Sequence, residues 1–505
     1  MKKSLVLASV ALGAICASEA ANAQTIIRGG GDTSVSIAYR NLFDCASYQI
    51  FGPSADTPAG VTTPLSTSCI GIGPNFPHDA YLFLYAPVGS RVGKAGFVAH
   101  TASPGYYNNW TAKVSGNIPY ADNTFAPTWP YASIQFAGSD ILLLPSDVAT
   151  YNTNSGPANW GNILFMPAVV MPVAISINPH GDSSHYPGYP WAVAPNTIKL
   201  SRKSLCGIFS GHITKWDNAS ITADNGVAVG SGQITVVHRS DGSGTNFLLT
   251  NALTEQCRTV YGPNNETDPT MTLYAFPWTD RGVATAQCPA LPAVGSTFSN
   301  WPDDRPVLAT DQCGRTISNP GGGVFVGAQG DSGVASTVAT TYGAIGYNSV
   351  DLVQPIVPSG PQTAMLQSQY DIDNATGAYH LPTAWGAETA MAAVTPVFDD
   401  TTRANPLNWA AQGTVPNPAL PGSYPIAGFS WFLFYQCYAA TDVAAVIPHY
   451  INWHYSNALA ASVLADHSMA VPPAPWVNEI QKLIATTSPI GHTGDGGVCN
   501  AKSGA

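Results

Sequence analysis

Seven residues, Arg239-Ser240-Asp241-Gly242-Ser243-Gly244-Thr245, bring together a guanidinium, three hydroxyls and two glycines. They follow the β-branched run Gln233-Ile234-Thr235-Val236-Val237, which reads as a strand, and precede Phe247, Leu248 and Leu253, which recur at helical spacing. The first turn of a helix has amides without intrahelical partners, and the positive end of the helix dipole lies there too. Ser243 and Thr245 add hydroxyl donors, Gly244 allows close backbone approach, and Arg239 offers a planar fork of N–H groups. That combination suits capture of a small oxyanion. It is not a nucleotide P-loop, because no Gly-Lys-Ser/Thr follows the glycines.

Three further segments point to the same chemistry. Gly29-Gly30-Gly31-Asp32-Thr33-Ser34 and Val88-Gly89-Ser90-Arg91-Val92-Gly93 are glycine loops, each with a hydroxyl set before a predicted helix. Ile134-Gln135-Phe136-Ala137-Gly138-Ser139-Asp140 is an apolar strand ending in a carboxylate. An ionised carboxylate in such a site would only accept hydrogen bonds, so it would require a guest that still carries a proton. Hydrolysis of a phosphoester is the rival chemistry and calls for a metal cluster or an activated nucleophile. The histidines do not supply one: His449 and His454 are five apart on a predicted helix, and His180 and His185 sit in a Pro/Gly/Ser loop. No metal and no cofactor is expected.

The elements that must hold these loops read as strand–loop–helix units, hence α/β layers with mainly parallel sheets. Ser204 is placed to cap a helix with Leu205, Ile208 and Phe209 on one face and Gly211 as its stop. Pro475 opens another, with Trp476, Ile480 and Leu483 on one stripe. Three stretches rich in Pro, Gly, Ser, Thr and Asn read as loop insertions: Gly52 to Pro77, Pro263 to Gly323, and Pro358 to Pro421. There is no internal repeat.

The 505 residues, 45% hydrophobic and only 10% charged, suffice for a large core and more than one domain. A formal net charge of −11 argues against nucleic acid or acidic membrane surfaces as partners. Lys2 and Lys3, the apolar run Leu5 to Ile15 and Ala21-Asn22-Ala23 form a signal peptide over residues 1–23, with cleavage ahead of Gln24. That run is too short to span a bilayer, and the apolar stretch Phe165 to Ile177 is broken by Pro167 and Pro172. A periplasmic or secreted protein without stable membrane insertion is expected. Without Cys16, eight cysteines remain, an even number that suits disulfides in an oxidising compartment but allows 105 pairings. Local bridges Cys45–Cys69 and Cys288–Cys313 would pin the first two insertions.

Together these segments resemble periplasmic phosphate-binding proteins of ABC transporters, in particular the DING branch. Further matches are Ser204-Leu205-Cys206-Gly207-Ile208-Phe209-Ser210-Gly211-His212-Ile213-Thr214-Lys215-Trp216-Asp217, Ile234 to Ser240, and Gly343-Ala344-Ile345-Gly346-Tyr347. Gly428-Phe429, the run Phe434 to Cys437, and the tail from Ile490 to Cys499 are similar as well. The resemblance implies a two-lobed, Venus-flytrap (type II) periplasmic-binding-protein fold with a hinge. Its lobes would be 24–170 with 425–505, and 171–424 carrying insertions. It implies phosphate contacts from Thr33, the backbone of Ser34, Ser90 and Asp140 in one lobe, and from Arg239, Ser243, Gly244 and Thr245 in the other. It also implies disulfides Cys206–Cys257 and Cys437–Cys499, a monomer, inorganic phosphate as ligand and an ABC permease as possible partner. A phosphatase or a binder of another oxyanion are the alternatives. The chain departs from the family at Ile26-Ile27-Arg28-Gly29, where Asp-Ile-Asn-Gly is usual, and at Ser34, where a larger apolar residue is usual. Asp32 replaces a small residue beside the anion loop, where a carboxylate repels phosphate, and Arg91 replaces another and could offset that charge.

Overall fold

The computed structural model describes residues 25–47, 81–100, 133–178, 196–211, 213–257, 276, 301, 324–356 and 360–505. The expected signal peptide, the first insertion, all of the second except residues 276 and 301, and the cysteines at 69, 288 and 313 lie outside these residues. So do the proposed pairings that need them, although Cys45 is itself disulfide-bonded.

The fold is α/β, organised around one mixed sheet. Its elements are β1 (Thr25–Gly31), α1 (Ser36–Ser47), β2 (Tyr81–Ala86), α2 (Ser90–Ala99), β3 (Phe136–Ser139), β4 (Ile163–Ile177), α3 (Arg202–Phe209), β5 (Thr235–Arg239), α4 (Gly244–Gln256), β6 (Val324–Ala328), α5 (Gly330–Thr340), β7 (Ala344–Ser349), β8 (Ala427–Tyr435), α6 (Thr441–Ser456), α7 (Ala458–Asp466) and α8 (Ala474–Lys482). The strand order is β2-β1-β3-β8-β4-β7-β5-β6, with the short strand Gln362–Thr363 added against β4. The flanking pairs, β1 with β2 and β3, and β5 with β6 and β7, are parallel. The central ones, β3–β8, β8–β4 and β4–β7, are antiparallel, so "mainly parallel" is corrected to mixed.

Strand β4 joins the two halves of the sheet. Ile163 to Pro172 pair with β8, and Val173 to Ile177 pair with β7. All 15 of its residues are buried, which explains why Ser176 is its only polar side chain. Pro167 is tolerated at an irregularity, where the register shifts between Ser430 and Trp431. The carbonyls exposed there accept from α6: His454 Nε2 lies 2.7 Å from Ala168 O, and Tyr455 Oη donates to Pro167 O at 2.8 Å. His454 is thus a packing residue, and burial lowers its pKa to about 4. The apolar stretch Phe165 to Ile177 lies at the centre of the core. Among the described residues no helix is long and apolar enough to cross a bilayer.

Two local expectations are corrected. Helix α3 starts at Arg202 and is capped by Ser201, whose side chain accepts from the Ser204 amide, while the Ser204 hydroxyl turns to Asp224. The described part of 358–421 is not a plain loop. It holds helices Gln369–Asp373, Ala384–Met391, Asp400–Ala404 and Pro406–Gln412, the last two capped by Asp399 and Asn405. Polar, turn-forming residues there act as caps. Disulfides Cys206–Cys257 and Cys437–Cys499 are formed, tying α3 to the end of α4 and β8's exit to the C-terminal tail.

Candidate anion-binding site

Four loops meet where the strands of both halves end. The β1–α1 turn carries Asp32, Thr33 and Ser34; α2 begins at Ser90; Asp140 follows β3; and the β5–α4 loop carries Arg239 to Thr245. The glycines make the approach possible. Gly31 and Gly89 have φ of +143° and +97°, and the Gly89 amide donates to Gly31 O at 2.6 Å. Between the halves, a Cβ added at Gly244 would lie 2.2 Å from the Asp140 Cβ and 2.6 Å from its Oδ2. One added at Gly242 would lie 2.5 Å from the Arg91 Cδ. Asp140 and the start of α4 therefore touch across the cleft.

Helix α4 begins as its sequence suggests, with Ser243 as the cap: its Oγ accepts from the Asn246 amide at 3.2 Å, which leaves its hydrogen for another acceptor. Ser90 does the same in the other half, accepting from the Asp140 amide at 3.2 Å. Both serines are buried. The Thr245 hydroxyl donates to Asp331 Oδ1 at 3.2 Å. Thr33 is partly exposed, and its carbonyl accepts from Ser36 Oγ at 2.9 Å.

Arg239 is buried, and its fork faces carboxylates. Nε and Nη2 donate to the two oxygens of Asp241 at 2.9 and 2.7 Å, and Nη1 donates to Asp331 at 3.3 Å. These bonds use three of its five N–H groups and leave two for an anion. Burial opposes the guanidinium's charge, but Asp241 and then Asp331 more than compensate, so its pKa rises. Burial raises Asp331 to about 6, against the pull of Arg239 and the Ser349 amide.

In the other half, two carboxylates face one hydroxyl. Ser34 Oγ is 2.7 Å from Asp32 Oδ1 and 2.9 Å from Asp140 Oδ2, and all three residues are buried. Asp32 also accepts from the Ser34 amide at 2.9 Å and from Ser430 Oγ at 3.0 Å. Asp140 Oδ1 is buried with no hydrogen-bond partner. Burial first, then Asp32, raises the Asp140 pKa well above the usual carboxylate value. The repulsion expected of Asp32 toward an anion thus falls first on Asp140. The Ser34 amide, meant for the ligand, is already taken by Asp32.

Sequence reasoning missed Asp331 and Ser430. The signal for Asp331 was Gly330-Asp331-Ser332 after the apolar run Val324 to Ala328, a strand end opening a helix like the other three. Ser430 was legible only as one hydroxyl in the buried strand β8.

A family model described as "PBP superfamily domain" matches residues 17–458, most of the chain. The chain belongs to the PBP superfamily. Within reach of this superfamily member is "Alkaline phosphatase L" of Pseudomonas aeruginosa PAO1, 27% identical over 83% of this chain and 86% of that protein. A "Phosphate-binding protein" from an unknown prokaryotic organism is 27% identical over 77% of this chain and 90% of that one. The crystal structure of a DING protein superposes with a TM-score of 0.58 at 24% identity, covering 95% of this chain and 99% of that one. Such a likeness establishes the two-lobed superfamily fold.

Proposed function

We propose that this chain binds inorganic phosphate in the cleft between its halves, as a DING-type member of the superfamily. The observation that carries the reading is the contact of Asp140, with its bare Oδ1, against Gly244 at the start of α4. Oxyanion donors from one half and an unsatisfied buried acceptor from the other suit a guest that both accepts and donates. The relatives named phosphate-binding proteins support the same ligand. Thr33, Ser90, Arg239, Ser243, Gly244 and Thr245 supply donors, and Asp140 meets the ligand's hydroxyl. The lobes run 24–170 with 425–505, and 171–424, with β4 passing between them. Charge-assisted hydrogen bonds contribute about 1.5–3 kcal/mol each, so several exceed the ~8 kcal/mol of micromolar binding before association costs. Delivery to an ABC permease from the periplasm, after removal of residues 1–23, completes the role of a monomeric carrier.

The relatives named alkaline phosphatase L keep phosphoester hydrolysis as a second reading. Among the described residues no group of three or more His, Cys, Asp or Glu side chains is placed to hold a metal. Titration calorimetry of refolded, ligand-stripped protein with phosphate tests the first reading, with saturable binding expected. Chelator-sensitive turnover of a chromogenic phosphoester, with no stoichiometric retention of phosphate, would favour the second.

A further inference from the structure

One hydroxyl hydrogen cannot serve two carboxylates. Ser34 Oγ lies within hydrogen-bond distance of Asp32 Oδ1 and Asp140 Oδ2, so with both acids ionised one of them would face the hydroxyl's lone pairs in a dry site. A single proton on one acid resolves this: that acid donates to Ser34, and Ser34 donates to the other. Asp32 is the better anion of the two, receiving the Ser34 amide and the Ser34 and Ser430 hydroxyls. Asp140 receives the shared hydroxyl on Oδ2 and a lesser pull from Ser430, and its Oδ1 has no partner. The proton therefore belongs to Asp140.

We propose that Asp32 determines anion specificity by holding Asp140 in its neutral, proton-carrying form, so that the pocket accepts fully deprotonated tetrahedral oxyanions of the sulfate class as well as phosphate. The inference rests on the anion-binding reading above and extends it. A carboxylic acid has a choice that a carboxylate lacks. With its hydrogen on Oδ2 it donates to Ser34, and Oδ1 accepts the hydroxyl of a protonated guest. With its hydrogen on Oδ1 it donates to an unprotonated guest, while Ser34 goes on donating to Asp32 and its lone pairs face the uncharged Oδ2 of a carboxylic acid rather than a second carboxylate. The same neutrality removes one negative charge from a pocket that already holds Asp32, Asp241 and Asp331 against Arg239.

The surroundings favour the proton. From α1, Tyr39 contacts Ser430 at 3.2 Å; from β2, the Tyr85 hydroxyl donates to the Asp32 carbonyl at 3.0 Å rather than to its carboxylate. Burial keeps Tyr39 a phenol, its pKa raised well above the usual value. From β4, Met171 Sδ lies 3.4 Å from Ser34 Oγ and brings no charge. From α5, Asp331 adds negative potential, and the Arg239 fork is directed at Asp241 and Asp331. Burial and Asp32 both push Asp140 upward.

Sulfate has no titrating proton between about pH 5 and 9, so its affinity reports the protein's proton directly. Phosphate and sulfate affinities are to be measured by calorimetry across that range for the full chain and for Asp32→Ala and Asp32→Asn. Expected for the unaltered chain are sulfate binding within about tenfold of phosphate, the scale of one buried hydrogen bond, and a sulfate affinity that falls as pH rises and the shared proton is lost. Removing Asp32 takes away the second of the two causes that hold the proton on Asp140, so it should shift Asp140 toward the ionised form and widen the preference for phosphate by about tenfold or more. Phosphate binding with an unchanged phosphate-to-sulfate ratio in both variants overturns the inference but leaves the anion site standing. If both variants fail to fold, a pH-independent sulfate affinity in the unaltered chain overturns it alone. Binding of neither anion by the unaltered chain sinks the anion-site reading and the inference together.

Discussion

Gly244→Ala tests whether the two halves close on a shared guest. At the first position of a helix, alanine should help: the backbone loses freedom more cheaply, by about 0.5–1 kcal/mol. Here the added methyl would stand 2.2 Å from the Asp140 Cβ, where ordinary contact begins at 3.4 Å, an overlap of 3.4 − 2.2 = 1.2 Å. Asp140 is buried and its carbonyl-side neighbours are fixed by the Ser139 hydroxyl, so the relief falls on the separation of the halves. Parting them by roughly 1 Å takes a 2.9 Å hydrogen bond to about 4 Å, beyond useful range. Loss of two charge-assisted bonds to the anion costs about 3–6 kcal/mol, or about a hundredfold to ten-thousandfold in affinity. Calorimetry with phosphate measures that loss, and thermal unfolding without ligand controls for folding, with no loss of stability expected beyond about 1 kcal/mol. An affinity within about threefold of the unaltered protein, with the same melting temperature, would refute the convergence of Asp140 and α4 on one ligand.

Four further outcomes follow from the geometry. Arg239→Met takes the guanidinium from the partly exposed Asp241 and the buried Asp331 and should destabilise the fold by about 3–5 kcal/mol in denaturant titrations, with part of the loss restored by adding Asp331→Asn. Ser430→Ala removes a donor to Asp32 and should raise the pH at which carbon NMR sees the Asp32/Asp140 pair lose its proton, while Ser220→Ala, remote from the pocket, leaves it in place. Opening the 62-residue separation of Cys437–Cys499 by a double serine substitution should cost about 2–4 kcal/mol, read as a lower denaturation midpoint. Stability should decrease as the pH is lowered from about 6.5 to 4. Buried His454 is held neutral down to about pH 4, whereas in the unfolded chain it protonates near pH 6.5, so protons favour the unfolded state throughout that window. The span corresponds to about 3 kcal/mol, and His454→Gln should flatten the denaturation midpoint over the same pH range.

What the sequence determined by itself was local chemistry. The glycines and hydroxyls of the 29–34, 88–93 and 239–245 segments mark strand-to-helix turns, because a helix start needs a capping hydroxyl and close backbone approach needs an absent Cβ, and both demands are met within a few residues. Length, apolar content and alternating elements likewise set the α/β class. Tertiary structure alone decided the rest. Apolar runs such as 163–177 and 427–435 do not state the direction of their partners, so the antiparallel centre of the sheet was invisible. Ser34 meets Asp140 across 106 residues of chain, and Ser430 meets Asp32 across 398. Asp32 could be read as repelling an anion, but its effect on the proton of Asp140 depends on a hydroxyl held between two buried acids. Charge in a dry site is governed by distances of a few ångströms, and only packing fixes those.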